Sequence, residues 1–576
     1  MPIRLLLLLL LTTFPRLIQA QQSYPADYFR SPMDTTISLA GNFGEIRPNH
    51  FHAGFDIRTN NREGLPVYAA AEGFIYRIKI SPFGYGKALY IKHPNGYSTV
   101  YGHLQAFNTA IDTYTKNIQY SKQSFEIDTF LIASALPVKK GDLIGYSGNT
   151  GGSQGPHLHF EIRESFSELP VNPYFFGYNI PDTVKPRVTM LAIYPLSDNA
   201  TVNGKHLVKK IVPVYKKGKY SFLKQDTISV NGKIGFGIEC YDTENGSTNK
   251  NGVYSIELQS GGKRIYYHQF EKFSFENSRY VNAHIDYREK QKNKNTIQKC
   301  FLSKNNQAGI YKDVLQGGAI NFQDDSVHWI RYIVKDFYGN TTEMMLKVRS
   351  SSKARHIKAA EKKMLFMDCS VQNDFNKDDI KVGIPANTLY DDTYFTYLHS
   401  PGIKGGFSPI HKVLSTETAA QRAYTLSIKT SGLPINIPST KLCIVSIGPK
   451  AEKEYHGGNF NDGWISTQLK SFGTFTVIAD TLAPKIRPAF KLAKDSLFCD
   501  LSNAKQIAVY ATDNLSGIRK YRATIDGQWV LCEYEAKQDL LFYTFDDRIG
   551  PGSHIFYIEV TDDRENRSTW MCTFKR

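Results

Sequence analysis

From Gly155 the chain reads Gly-Pro-His-Leu-His-Phe-Glu-Ile, so that Leu158, Phe160 and Ile162 alternate with His157, His159 and Glu161. A period of two is the pattern of a half-buried strand. Residues two apart on a strand leave the same face, so both imidazoles project together from the polar side of a sheet whose other side is core. Two histidines converging in this way supply half of a metal site, although His-x-His alone is a weak signal.

The chain around this strand is long. Its 576 residues exceed what one core organises, and a prior of about one domain per 150 residues predicts three to five. It begins Met1-Pro2-Ile3-Arg4, runs from Leu5 to Leu11 without a break and reaches Gln19-Ala20-Gln21 through small and polar residues. This predicts a secretory signal peptide over 1–20, cut after Ala20. The apolar run is too short to span a bilayer, and no later stretch approaches about 18 apolar residues, so no transmembrane segment is expected. No Cys stands at the cut to carry a lipid. The mature protein is expected to be soluble and exported: periplasmic, cell-envelope associated or extracellular. The absence of a lipid anchor and of wall-binding repeats leans this toward a Gram-negative periplasm.

The net charge is +16, from 70 basic and 54 acidic side chains. It fits attraction to an acidic polymer or surface, such as a cell wall or anionic lipid, and equally a solubilising bias. Export, and the lack of a basic recognition helix or known binding motif, argue against nucleic acid as a partner. Seven cysteines, none before Cys240, fit neither a zinc cluster nor a small disulfide framework, and their odd number leaves at least one thiol unpaired unless it bonds another chain. A site around His157 is therefore expected to be thiol-free.

The segment 37–173 reads as a compact, mostly β domain. Ala88-Leu89-Tyr90-Ile91-Lys92 and Tyr97-Ser98-Thr99-Val100-Tyr101 flank His93-Pro94-Asn95-Gly96, and Asn-Gly between alternating strands is a strong hairpin signal. That hairpin carries His103 at its far end. Gly148-Asn149-Thr150-Gly151-Gly152 lacks the Lys-Ser/Thr of a phosphate loop, so its glycines read as turn-formers that deliver the chain to His157.

Upstream, His52-Ala53-Gly54-Phe55-Asp56 gives His-x-x-x-Asp, which with His159 makes a three-ligand set suited to Zn²⁺, leaving a fourth position open for water. Hydrolysis also needs a proton acceptor and a group to stabilise transition-state charge. His103 and His157 are the available imidazoles, and no His-Glu-x-x-His supplies the usual helix-borne base.

The blocks from Arg47 through His52-Ala53-Gly54-Phe55-Asp56, Gly64-Leu65-Pro66-Val67-Tyr68-Ala69, Tyr101-Gly102-His103-Leu104, Val138-Lys139-Lys140-Gly141-Asp142, Gly155-Pro156-His157-Leu158-His159-Phe160-Glu161 and Pro170-Val171-Asn172-Pro173 resemble the LytM/lysostaphin-type zinc endopeptidases of bacterial cell walls, in the family's order. The resemblance implies a β-sheet peptidase fold with one Zn²⁺ held by His52, Asp56 and His159. It places His103 and His157 on the family's two catalytic histidines, general base and transition-state stabiliser, and implies the peptide cross-link of peptidoglycan as substrate. One departure stands out. The family needs only a short connection where this chain has an insertion over about 105–137, in which Phe125-Glu126-Ile127-Asp128-Thr129-Phe130 suggests an extra strand. It forms either a wall of the substrate cleft or a peripheral hairpin.

Beyond residue 180 the chain repeats itself. Asp182-Thr183-Val184-Lys185-Pro186 returns as Asp480-Thr481-Leu482-Ala483-Pro484, and Asp336 leads to Asn340 as Asp562 leads to Asn566. Short alternating strands between Asp/Asn/Gly turns indicate β-sandwiches. The expected organisation is mainly β: a peptidase domain over 21–180, an Ig-like module over 183–350, a basic linker over 353–363, a β module of uncertain type over 364–480 and a second Ig-like module over 481–576. These modules read as spacers or as binding surfaces for the wall or a cell-envelope protein partner. Two rival readings of the whole are a catalytically inactive peptidase-like regulator of another wall hydrolase and a structural or adhesive surface protein. Glu161 reads either as a residue orienting a ligand or as a solvent-facing strand residue. Tyr101, two before His103, is expected to support the site from the same face; His50 and His93 read as structural.

Overall fold

A computed structural model of the protein describes residues 24–222, 227–351, 365–492 and 497–576. The expected signal peptide over 1–20 and the expected basic linker over 353–363 lie outside the described residues. The chain is mostly strand, and no described helix is long and apolar enough to cross a membrane. The seven cysteines form no disulfide.

The His157–Glu164 strand lies inside an antiparallel sheet, between Phe55–Arg58 on one side and Tyr97–Leu104 on the other. The order across this sheet is Leu39–Gly41, Phe55–Arg58, His157–Glu164, Tyr97–Leu104, Lys87–Lys92, Gly73–Ile80 and Ile127–Phe130. Its alternation works as the period of two requires. Leu158, Phe160 and Ile162 are fully buried with Phe55, Ile57 and Leu89 in the core beneath, while the histidines face the other way. Truncating a buried phenylalanine such as Phe160 to alanine would cost about 3–5 kcal/mol. Gly54 is required by close approach: a Cβ there would stand 2.2 Å from the carbonyl oxygen of Phe160.

The insertion contains the expected extra strand, Ile127–Phe130, paired with Gly73–Ile80 at the sheet edge. It also contains a helix, Thr109–Lys122, that the sequence reading did not anticipate. Its threonines, tyrosines and isoleucines have modest helix propensity. Tertiary context supplies the rest. Asn108 caps the helix by accepting from the Ile111 amide at 2.9 Å, and Ile111, Thr115 and Gln119 bury one face at a spacing of four.

That helix meets the end of the chain. Tyr120 packs edge-on against Trp529, with Arg548 over its ring, and Arg522 donates to the Gln123 side chain at 2.8 Å. Lys87 pairs with Glu533 at 2.7 Å, and Lys537 donates to the carbonyls of Asn149 and Ser153. A cavity of about 580 Å³ lies between insertion and C-terminal strands.

Between these regions the chain forms further β domains. Residues 187–350 contribute an eleven-stranded sheet interrupted by short helices over 275–293, which the sequence reading did not foresee. Residues 366–479 form two five-stranded sheets, and 485–575 form sheets of four and five strands. Each has its own buried cluster, centred on Phe236 and Tyr332, Tyr424 and Phe475, and Val509 and Phe556 respectively.

Candidate metal and catalytic centre

Register sets the site. His159 stands opposite Asp56 on one neighbouring strand and opposite Gly102 on the other. His52 arrives from a small hairpin, Ile46–Arg47 with His50–Phe51, whose closure is carried on by the His52 amide donating to Glu45. The outcome is a compact triangle. His52 Nε2 is 3.0 Å and His159 Nδ1 2.9 Å from Asp56 Oδ1, and the two nitrogens are 3.2 Å apart. All three residues are buried.

Hydrogen bonds behind the rings decide which atoms face inward. His52 Nδ1 meets the Asn42 carbonyl at 2.8 Å, and a carbonyl only accepts, so Nδ1 carries the proton and Nε2 presents its lone pair. His159 Nε2 donates to Glu161 at 2.7 Å, which turns the Nδ1 lone pair toward Asp56. Two lone pairs and a carboxylate oxygen therefore converge with no proton required between them. Their separations are close to the edge of about 3.3 Å expected of a tetrahedron with bonds of 2.0–2.1 Å. This donor set fits Zn²⁺.

Residues 50–120 and 114–173 match the model of peptidase family M23. The N-terminal domain is an M23 peptidase domain. Over 131 residues the chain is 35% identical to the DD-carboxypeptidase/endopeptidase Mpg of Neisseria meningitidis, covering 23% of this chain and 24% of that protein. Over 139 residues it is 29% identical to the peptidoglycan DD-endopeptidase ShyA of Vibrio cholerae, covering 23% and 26%. The chain thus spans about a quarter of the length of these curated relatives. Among solved structures, a zinc-containing peptidase from Vibrio cholerae is 26% identical with a TM-score of 0.20, covering 27% of this chain and 40% of that one. Residues 364–480 match a Zu5-like domain.

The M23 domain holds this triangle through further buried partners. Glu161 is fully buried, so its reading as solvent-facing is corrected: it accepts from His159, from the Tyr85 hydroxyl and from Arg163 Nε at 2.7 Å. Burial alone would raise its pKa, but Arg163 and His159 outweigh it and hold the carboxyl down at about 2. Burial likewise opposes charge on His159, while hydrogen bonds to Asp56 and Glu161 carry the imidazole up to about 9. The same electron-rich surroundings that favour a proton there favour a cation. On the other side, Arg47 bridges Asp56 Oδ2 and Glu45, each at 3.0 Å.

His103 and His157 join the same centre. His103 Nδ1 donates to the Thr150 carbonyl at 2.8 Å, and His157 Nδ1 donates to the Gly155 carbonyl at 2.8 Å. Both Nε2 atoms are thus free of backbone partners; that of His157 stands 3.3 Å from Asp56 Oδ1, and the two rings lie 4.8 Å apart. Burial, then His159 and His157, push His103 down to about 3, so it is neutral near pH 7. The loop that orients His103 is close-packed: Gly151 has φ +73°, and a Cβ on it would meet the Gly86 amide at 2.3 Å.

Tyr101 does not share this face. His103 has φ +59°, and the pairing opposite slips between Lys87 and Leu89, so the strand alternation breaks before the histidine. Tyr101 instead packs on Phe160 in the core and accepts from the Ala70 amide at 2.8 Å. His93 is buried between the Glu72 carbonyl and Thr99, and His50 is exposed and bonded to Pro48. Sequence reasoning missed Asn42, Glu45, Tyr85, Thr150 and Arg163. Only the alternation of His159, Glu161 and Arg163 along one strand carried a signal for any of them.

Proposed function

We propose that this protein is an exported zinc endopeptidase that hydrolyses peptide cross-links of peptidoglycan. The observation that carries the reading is the triangle of His52 Nε2, Asp56 Oδ1 and His159 Nδ1, with lone pairs turned inward by Asn42 and Glu161. Its place within an M23 domain related to a DD-endopeptidase supports the substrate class. In this reading 1–20 is the signal peptide, 21–180 the catalytic unit, and 183–350, 364–480 and 481–576 position it on the wall or on an envelope partner.

His52, Asp56 and His159 would hold the zinc. When bound, it supplies a Lewis acid for the scissile carbonyl and lowers the pKa of water toward about 7. His103, neutral and with Nδ1–H anchored on Thr150, offers Nε2 to take a proton. His157, anchored through Gly155, faces the same space and completes the pair that accepts protons and stabilises oxyanion charge. Asp56 is ionised: burial opposes its charge, but His52, His157 and His159 outweigh it and hold its pKa well below the usual range.

The test is a muropeptide profile of intact sacculi digested by the purified mature protein, with zinc and with a chelator. Zinc-dependent conversion of cross-linked dimers to monomers is expected, and the product masses name the bond. No conversion with any wall type, despite one bound zinc, would overturn the enzyme in favour of a regulator.

A further inference from the structure

Outside the M23 domain, two groups of carboxylates, two buried and one half-buried in each, occupy the same place in two different β modules. Asp182, Asp242 and Asp336 bring one oxygen each within 4.8 Å of one another, and so do Asp480, Asp513 and Asp562. The two groups are built alike. Asp336 accepts from the backbone and side chain of Asn340 at 2.8 and 2.6 Å, and Asn340 also donates to the Asp182 carbonyl at 3.1 Å. Asp562 accepts from the backbone and side chain of Asn566 at 2.8 and 2.7 Å, and Asn566 donates to the Asp480 carbonyl at 3.0 Å. The third member also corresponds: Arg187 pairs with Tyr241 and Lys485 with Thr512, so Asp242 and Asp513 each follow the partner of the strand that the first aspartate introduces.

Asparagine and backbone hydrogen bonds reach Asp336 and Asp562, but among the described residues no cationic side chain offsets the charge of either group. None of the six aspartates forms an ion pair among the described residues. A third acidic group, Asp368 with Asp392, shows the contrast, because Lys304 Nζ reaches both at 3.0 and 2.9 Å. Asp242 is only 5% exposed, its Oδ1 is buried without a hydrogen-bond partner, and its carboxylate brings an oxygen within 4.8 Å of those of Asp182 and Asp336. Asp513 is half-buried; its Oδ1 is enclosed and unpartnered, while its Oδ2 accepts from the Leu515 and Gly517 amides, each at 2.9 Å. A buried, unsatisfied carboxylate oxygen aimed at two others is costly unless a cation or a proton joins them. Burial, then Asp182 and Asp336, raise Asp242 to about 8, which measures how poorly the group tolerates its own charge.

We infer that each triad is a binding site for a hard divalent cation of the calcium type. The donors are oxygen only, without the imidazoles that suit zinc at the catalytic centre, and calcium accepts irregular shells of carboxylates, carbonyls and water. Both sites lie where a module joins the domain before it. Asp182 follows Ile180, which is buried in the M23 core, and Glu244 beside Asp242 accepts from the Leu39 amide at 3.1 Å. Asp480 follows the Gly473–Ala479 strand and donates its amide to the Lys441 carbonyl at 2.9 Å. A cation at each would stiffen the junction and fix the direction in which the next module leaves.

The experiment is calcium titration of the zinc-loaded mature chain, freed of calcium with a calcium-selective chelator, by calorimetry and thermal unfolding. Two equivalents are expected, with affinity in the range of about 10⁻⁴–10⁻³ M typical of extracellular modules, and Tm should rise by about 3 °C or more at saturation. Asp242→Asn and Asp513→Asn should each remove one equivalent, and the double variant both. Neither heat nor a Tm shift in the wild type up to about 10 mM calcium, ten times the weak end of that range, overturns the proposal. So does calcium binding that survives the double substitution. An Asp513→Asn variant that keeps both equivalents overturns the site in the second module.

Discussion

In the N-terminal sheet, Asp56 is buried among His52, His157, His159 and Arg47; in the first outer module, Asp242 is buried against two more aspartates. The consequences are opposite. Burial opposes the charge of Asp56, but His52, His157 and His159 hold it well below the ordinary carboxylate range, whereas burial and like charge hold Asp242 up at about 8. Both arrangements leave lone pairs pointing at a common centre. The first mixes nitrogen and oxygen donors with orienting groups behind each ring; the second offers oxygen alone. Donor type and outer partners, not the number of acidic groups, thus separate a donor set suited to zinc from one suited to a hard cation.

The strongest way to break the comparison is at the histidines. His159→Ala should abolish both zinc retention and turnover, while His103→Ala should keep one zinc and reduce turnover by about 10²–10⁴-fold. Metal analysis beside a dimer-cleavage assay separates the two. Equal metal loss in both variants would make His103 a ligand rather than a group acting on protons.

A smaller effect is expected one layer out. Glu161→Gln leaves a neutral acceptor behind His159 and should weaken zinc affinity by about 10–100-fold, read by competition with a chromogenic chelator. Glu161→Ala should in addition cost about 3–5 kcal/mol in denaturant unfolding, because Arg163 loses its buried charge partner. An Ala variant as stable as the wild type would show that Glu168, which also accepts from Arg163 at 3.2 Å, suffices.

The smallest effect tests the aspartates through pH. Asp242 is raised from the usual carboxyl range to about 8 in the folded state. Between roughly pH 4 and 8 the folded protein therefore binds more protons than the unfolded chain, and stability falls as pH rises. With calcium chelated, Asp242→Asn should gain Tm relative to the wild type as pH climbs through this window, and the gap should be least near pH 4. Saturating calcium should remove the wild type's disadvantage. A gap independent of pH would show that Asp242 does not carry the strain.

Much of the centre was legible before any fold was known. The alternation of Leu158, Phe160 and Ile162 with His157 and His159 forces a strand with two inward-facing imidazoles, because the backbone repeats every two residues. Asn95-Gly96 likewise dictates a hairpin, with Gly96 at φ +86°. The repeat of Asp182 and Asp336 as Asp480 and Asp562 was also visible, but not that a third aspartate joins each pair.

The features written directly into the residues were local: periodicity, turns and which residue types could hold a metal. Tertiary structure alone decided the rest. It placed Tyr101 in the core, since one residue at positive φ reverses the face that alternation assigns. It made a helix of a threonine- and tyrosine-rich insertion, because burial of Ile111, Thr115 and Gln119 and packing on Trp529 outweigh weak intrinsic propensity. It also brought Asn42, Tyr85 and Thr150 to the histidine centre and Asp242 and Asp513 to the triads. Those contacts join segments tens of residues apart, and only the closing of sheets brings them within hydrogen-bond reach.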